Sequence, residues 1–219
     1  MGRSVQAVQK ECDKAAQILN SFVSKEKIPK VVMSNAKGVA IFSSVRAGFG
    51  LSGSVGSGVV LARLPDGSWS PPSAFSVRSG GVGFVAGIDM YECVCVLNTE
   101  DAVKLFSGNE LKLGGEIALS VGPIGGTADM KPVWTYTKSN GLYGSVALDG
   151  TSIKQKTEDN DVFYGARPTT AQILKGDVQR QVGDHLWPAG ADQLMGVLRL
   201  AEGKSATSTA SAEPAPAAE

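Results

Sequence analysis

Reactive side chains are scarce in this chain. Histidine occurs once, at His185, and cysteine three times, at Cys12, Cys93 and Cys95. A structural zinc site takes four Cys or His ligands. It would consume all four of these residues, spread over more than 170 positions. A hydrolase triad needs a histidine as base, and only His185 is available. The low, odd cysteine count fits a reducing compartment and argues against a disulfide scaffold. Cys93 and Cys95 fall on one face of a strand, where side chains alternate. They read as small apolar packing groups.

Short motifs add no chemistry. Residues 48–53 (GFGLSG) satisfy G-x-G-x-x-G, but a dinucleotide site needs a strand before that motif and a helix after it. Residues 54–64 (SVGSGVVLARL) read as strand, so these glycines read as bends in strands. Residues 203–205 (GKS) resemble the end of a phosphate-binding loop, yet Leu198 stands where its first glycine belongs. Ser34 and Lys37 fit S-x-x-K without the companion K-T-G. No paired-carboxylate signature stands out. The expectation is a protein with no catalytic residue, no metal and no cofactor, which is not an enzyme.

The elements that carry these residues follow from periodicity. Residues 4–24 read as an amphipathic helix, with Val5, Val8, Cys12, Ala15, Ala16, Leu19, Phe22 and Val23 on one stripe. Lys10, Asp13, Lys14, Gln17 and Ser21 lie opposite, and Ile18 falls off the stripe. A short helical turn is expected over 29–35, opened by Pro29. Residues 39–42 (VAIF) form a continuous apolar run, as in a strand buried on both faces. Glycines then recur through 47–58, and a strand resumes at 59–64. Pro65, Asp66 and Gly67 signal a turn.

Further strands are expected over 73–79, 82–88, 91–97 and 110–121, the last bent at Gly114 and Gly115. A helix should begin near Asn98 and run to Phe106, with acids in its first turn. Asn140-Gly141 between alternating runs predicts a hairpin of 133–138 with 142–148. A strand over 151–156 and helices near 169–175, capped by Gly176, and 189–201 complete the body. Composition then collapses to Ser, Thr, Ala, Pro and Glu. The fold class is therefore α+β: an antiparallel-rich, barrel-like sheet core with an N-terminal amphipathic helix and C-terminal helices. Residues 1–204 read as one domain and 205–219 as a disordered tail.

Net charge is zero but unevenly spread. Residues 1–50 hold eight basic groups (Arg3, Lys10, Lys14, Lys25, Lys27, Lys30, Lys37, Arg46) against Glu11, Asp13 and Glu26. Such asymmetry suggests that this part meets an anionic surface. Each basic group near an anionic leaflet is worth about 1 kcal/mol, so the excess of three over residues 1–30 would give roughly a hundredfold enrichment. An interfacial helix also needs an apolar face, for which Val5, Val8, Leu19 and Phe22 are the candidates. The alternative is that the stripe docks on the sheet. The start carries no signal-peptide core, Gln6 makes it a near miss for myristoylation, and no run of 18 apolar residues occurs. Any membrane contact is thus expected to be peripheral.

From Glu11 onward the chain resembles the SYLF domain family. The residues that carry this are 11–19 (ECDKAAQIL), 28–29 (IP), 36–41 (AKGVAI), 47–49 (AGF), 56–60 (GSGVV), 62–67 (ARLPDG) and 69–74 (WSPPSA). Later matches are 96–98 (VLN), 113–115 (LGG), 122–125 (GPIG), 141–143 (GLY), 148–150 (LDG) and 163–165 (FYG). The resemblance spans about residues 4–202. It implies phosphoinositide binding with the N-terminal helix as membrane contact, and in fungal members binding and bundling of actin filaments at endocytic sites. The expectation is a cytoplasmic protein, peripheral on plasma membrane or endosomes and near cortical actin, with no nucleic-acid partner. Three readings stay open: a phosphoinositide-binding adaptor, an actin-filament binder with incidental lipid contact, and an enzyme or small-ligand carrier using the sheet interior.

Overall fold

A computed structural model describes residues 5–113, 119–123, 131–139, 142–144, 150–165, 167–178, 181–182, 185–186 and 189–205. The chain runs α1 (Val5–Val23), α2 (Lys30–Asn35), β1 (Gly38–Ala62), β2 (Ser73–Leu97), α3 (Glu100–Phe106), β3 (Glu110–Leu113) and β4 (Leu119–Val121). It continues through β5 (Val133–Ser139), β6 (Leu142–Gly144), β7 (Thr151–Gln155), α4 (Thr157–Tyr164), α5 (Thr170–Leu174), β8 (Gln181–Val182), β9 (His185–Leu186) and α6 (Ala189–Ala201).

Two strands of 25 residues each dominate. The expected breaks at the glycines do not occur: 38–62 is one strand and 73–97 another. They pair antiparallel from Gly38↔Leu97 to Val60↔Ser73, with a register shift between Phe49 and Leu51. The ribbon cannot be straight, because β1 returns onto itself. A Cβ at Gly56 would stand 2.1 Å from the Ser43 carbonyl oxygen, and one at Gly58 the same distance from that of Ile41. Only glycine permits so close an approach of backbone to backbone. The Arg63 N–H also donates to the Lys37 carbonyl at 2.8 Å, where the two ends of β1 meet.

The seven-stranded sheet has the order β3-β7-β2-β5-β4, with β1 on β2 and β6 on β5. All pairs are antiparallel except β4 with β5. The register Ser139↔Leu142 leaves two residues for the predicted Asn140-Gly141 connection. The 142–148 strand is seen over Leu142–Gly144, the residues beyond lying outside those described.

Both faces of the sheet are covered, as the VAIF run requires. Val39 and Ile41 point into one core with Val59, Leu61, Val94 and Val96, closed by α1, α2 and α6. Ala40 and Phe42 point into the other, with Val60, Phe75, Tyr91, Phe106 and Leu113. There Phe42 meets Phe75 edge-on at 6.0 Å and Tyr91 at 6.3 Å. α3 begins as predicted: the Thr99 side chain accepts from the Ala102 N–H at 3.1 Å. α4 has no counterpart in the sequence periodicity. It ends on Gly165 at φ 68°, a left-handed cap.

Candidate functional site

The first candidate is α1. Cys12, Ala15, Ala16, Leu19 and Phe22 are all buried, and so is Ile18. The helix therefore buries more than the single stripe read from periodicity. It packs against α6 as well as β1, β2 and α4, so a second flank is covered. Glu11 fixes it further, accepting from Ser57 Oγ at 2.5 Å and pairing with Lys156 at 3.6 Å. Leu19 and Phe22, expected as part of a membrane-contacting face, are 0% and 1% exposed in this conformation. The physical reason is the presence of α6, whose Leu194 and Leu198 share their core. The side chains of Val5 and Val8, and all of Arg3, lie outside the described residues.

The basic residues fare differently. Lys10 and Lys14 are exposed, one turn apart on the outer side of α1. Lys25 is exposed and Lys27 half-buried after α1, and both engage other groups of the protein. Lys30 opens α2 and Lys37 precedes β1, both exposed. Arg46 stands apart: it lies on β1, with its guanidinium carbon 5.2 Å from the Tyr91 ring centre. It is eight residues beyond Gly38, roughly 25 Å along an extended strand.

A cavity of about 670 Å³ opens beside Lys37. Lys104, Lys175 and Lys204 also line it, none of them singled out from sequence. They come from α3, the end of α5 and the residues after α6. Only the curled ribbon brings such distant segments together, and no sequence spacing records it. The lining also includes Arg63, half-buried and fully engaged. Its Nη2 donates to the Met33 carbonyl at 2.9 Å and its Nε to Ala36 at 3.2 Å, satisfying carbonyls at the end of α2. Its guanidinium stacks 3.9 Å from the Trp69 ring centre and pairs with Glu202. Trp69 Nε1 donates to Glu202 Oε1 at 2.7 Å, and Lys204 pairs with Oε2 at 2.6 Å. Burial alone would raise the Glu202 pKa. Hydrogen bonds from Lys204, Arg63 and Trp69 outweigh it and hold the carboxyl below its usual value.

Nucleophilic chemistry finds little here. All three thiols are free and buried. Burial, aided by the charges of Asp13 and Glu11, pushes Cys12 up to about 12. Cys93 is raised by burial and by Cys95, whose sulfur lies 3.7 Å away. A thiol so raised is a poor nucleophile. Among the described residues no cluster of His, Cys, Asp and Glu could hold a metal ion. Among them also, no helix is long and apolar enough to cross a membrane.

The family model Ysc84, described as "Las17-binding protein actin regulator", matches residues 78–201, more than half of the chain. The chain belongs to the Ysc84 family. This is the SYLF family that the motifs resembled. Protein YSC84 of Saccharomyces cerevisiae is 37% identical over 209 residues, covering 88% of this chain and 43% of the relative. LAS seventeen-binding protein 3 of the same yeast is 40% identical over 190 residues, covering 79% and 41%. SH3 domain-containing YSC84-like protein 1 of Bos taurus is 39% identical over 206 residues, covering 87% and 58%. The chain thus spans about half the length of the curated relatives it matches. No solved structure matches.

The motifs that carry the Ysc84 resemblance do structural work in this chain. In residues 69–74, Trp69 meets Glu202, and Ser70 Oγ accepts from the Ala62 N–H at 2.9 Å. The Pro72 carbonyl accepts from the Tyr164 hydroxyl at 2.5 Å. Asn160 accepts from the Ala74 N–H at 2.9 Å and donates to Ser73 Oγ at 3.0 Å. The β1–β2 connection is thereby tied to α4 through buried, satisfied polar groups.

Proposed function

We propose that this chain is a non-enzymatic binding module of actin organisation that meets anionic, phosphoinositide-bearing membranes through exposed lysines. The observation that carries this reading is the division of α1 into two sides. Its apolar side is built into the core, while Lys10 and Lys14 face solvent, with Lys30 and Lys37 exposed further along the chain. Contact is therefore electrostatic, worth about 1 kcal/mol per lysine near the leaflet. α1 stays docked, because its withdrawal would bare the α6 and sheet surfaces behind it. The actin link rests on the family, whose description names an actin regulator. Las17-type proteins are proposed partners on the strength of the relatives' printed names. Association with cortical actin and endocytic membrane follows from the two contacts together.

A second reading has actin filaments as the main ligand and lipid as incidental, and the packed α1 favours it. Two sedimentation experiments on the same protein separate them. Pelleting with phosphoinositide vesicles but not with phosphatidylcholine vesicles supports the membrane reading. Pelleting with filamentous actin alone supports the second. Pelleting with neither removes both.

A further inference from the structure

We propose that the cavity framed by α2, the β1–β2 connection, α3 and α5 binds a compact, multiply phosphorylated ligand. This site is separate from the α1 lysines. Four lysines, Lys37, Lys104, Lys175 and Lys204, line a cavity of about 670 Å³, and among the described residues Glu100 is the one acid in its lining. That volume falls among pockets that hold small ligands, about 300–1,000 Å³.

The charges differ in availability. Lys204 is held by Glu202 at 2.6 Å. Lys104 pairs with Asp101 at 3.1 Å, but both side chains are more than 70% exposed, and such pairs are worth little. Lys37 and Lys175 have no ion pair among the described residues. A lysine is a compact point charge with three donors, suited to phosphate oxygens. One anionic group needs one or two such partners. Lysines from four separate chain segments around one concavity suit several phosphates on one small frame. Leu64 and Leu174 add apolar surface to the same lining. The same chemistry is offered by a free inositol polyphosphate and by a phosphoinositide headgroup.

The test is calorimetric titration of the full chain with inositol hexakisphosphate in about 0.1 M salt. The variant Lys104→Glu/Lys175→Glu alters two exposed cavity residues. Lys112→Glu/Lys154→Glu makes the same charge change on β3 and β7. Lys10→Glu/Lys14→Glu makes it on α1. The cavity variant is expected to weaken binding by roughly tenfold or more, with the other two within about twofold. Equal weakening by the β3–β7 variant, or no binding by the unaltered chain, overturns the site. Flotation with phosphatidylinositol 4,5-bisphosphate vesicles then assigns the source. Flotation lost with the cavity variant identifies the headgroup, and flotation kept identifies a free polyphosphate. Flotation unchanged by the α1 variant would defeat the earlier reading and leave the cavity standing.

Discussion

Trp69 donates its indole N–H to Glu202 Oε1 at 2.7 Å, joining residues 133 positions apart. This contact pins the end of α6 to the connection between β1 and β2. Arg63 and Lys204 share the same carboxylate, whose side chain is 2% exposed. Removing one partner of a buried pair typically costs about 3–5 kcal/mol. Glu202→Ala is therefore expected to destabilise the protein by about 3 kcal/mol at pH 7, read by urea unfolding.

The same carboxyl makes a pH prediction. Its folded pKa lies below the ordinary value of 4.5. A depressed carboxyl stabilises the fold above its unfolded pKa and loses that contribution as pH falls through the folded value. The stability difference between the unaltered chain and Glu202→Gln should be full at pH 6–7 and shrink below about pH 4.5. A difference that stays constant down to pH 3 would show that charge plays no part.

Gly58 tests the folding-back of β1. A Cβ there would meet the Ile41 carbonyl oxygen at 2.1 Å, whereas at Gly80 nothing lies within 4 Å. Gly58→Ala should cost about 3 kcal/mol or more, the upper range of overpacking. Gly80→Ala should stay within about 1 kcal/mol of the unaltered chain, because no contact opposes it. Equal melting temperatures for the two variants would refute the close approach.

Phe22 is 1% exposed among residues of α1, α6 and the sheet. Phe22→Ala should cost about 3–5 kcal/mol in denaturant unfolding. Vesicle binding of the fraction that remains folded should not change, since the side chain is buried in this conformation. Full stability with lost flotation would instead place Phe22 in the membrane.

The thiols give a simple check on burial. Cys12, Cys93 and Cys95 are free and buried. None should react with Ellman's reagent at pH 8 in the native state, and all three should react in guanidinium.

Much of this fold is legible in the sequence because local signals agree with it. The VAIF run reads as a strand covered on both faces, and Val39 and Phe42 do point into different cores. Thr99 and Gly176 mark the start of α3 and the end of α5. The glycines of 47–58 read as bends, and Gly56 and Gly58 do let β1 approach itself, but the strands expected on either side of them, and those expected over 73–79, 82–88 and 91–97, are continuous. Ile18 falls off the predicted stripe because one period describes one buried face, whereas α6 covers a second. α4 leaves little trace because five of its eight residues are polar and the helix is weakly amphipathic. The basic cavity is illegible for a different reason. Lys37, Lys104, Lys175 and Lys204 meet through tertiary structure alone, and an isolated lysine carries no mark of its neighbours.

The most direct test of the membrane reading is flotation of Lys10→Glu/Lys14→Glu with phosphatidylinositol 4,5-bisphosphate vesicles at about 0.1 M salt. At that ionic strength exposed charges act over about 10 Å, and the substitution changes the outer side of α1 by four charge units. The reading predicts that most binding is lost, that raised salt removes binding of the unaltered chain, and that the melting temperature moves by only a degree or two. Unchanged flotation by the folded variant would contradict it and remove α1 as the membrane contact.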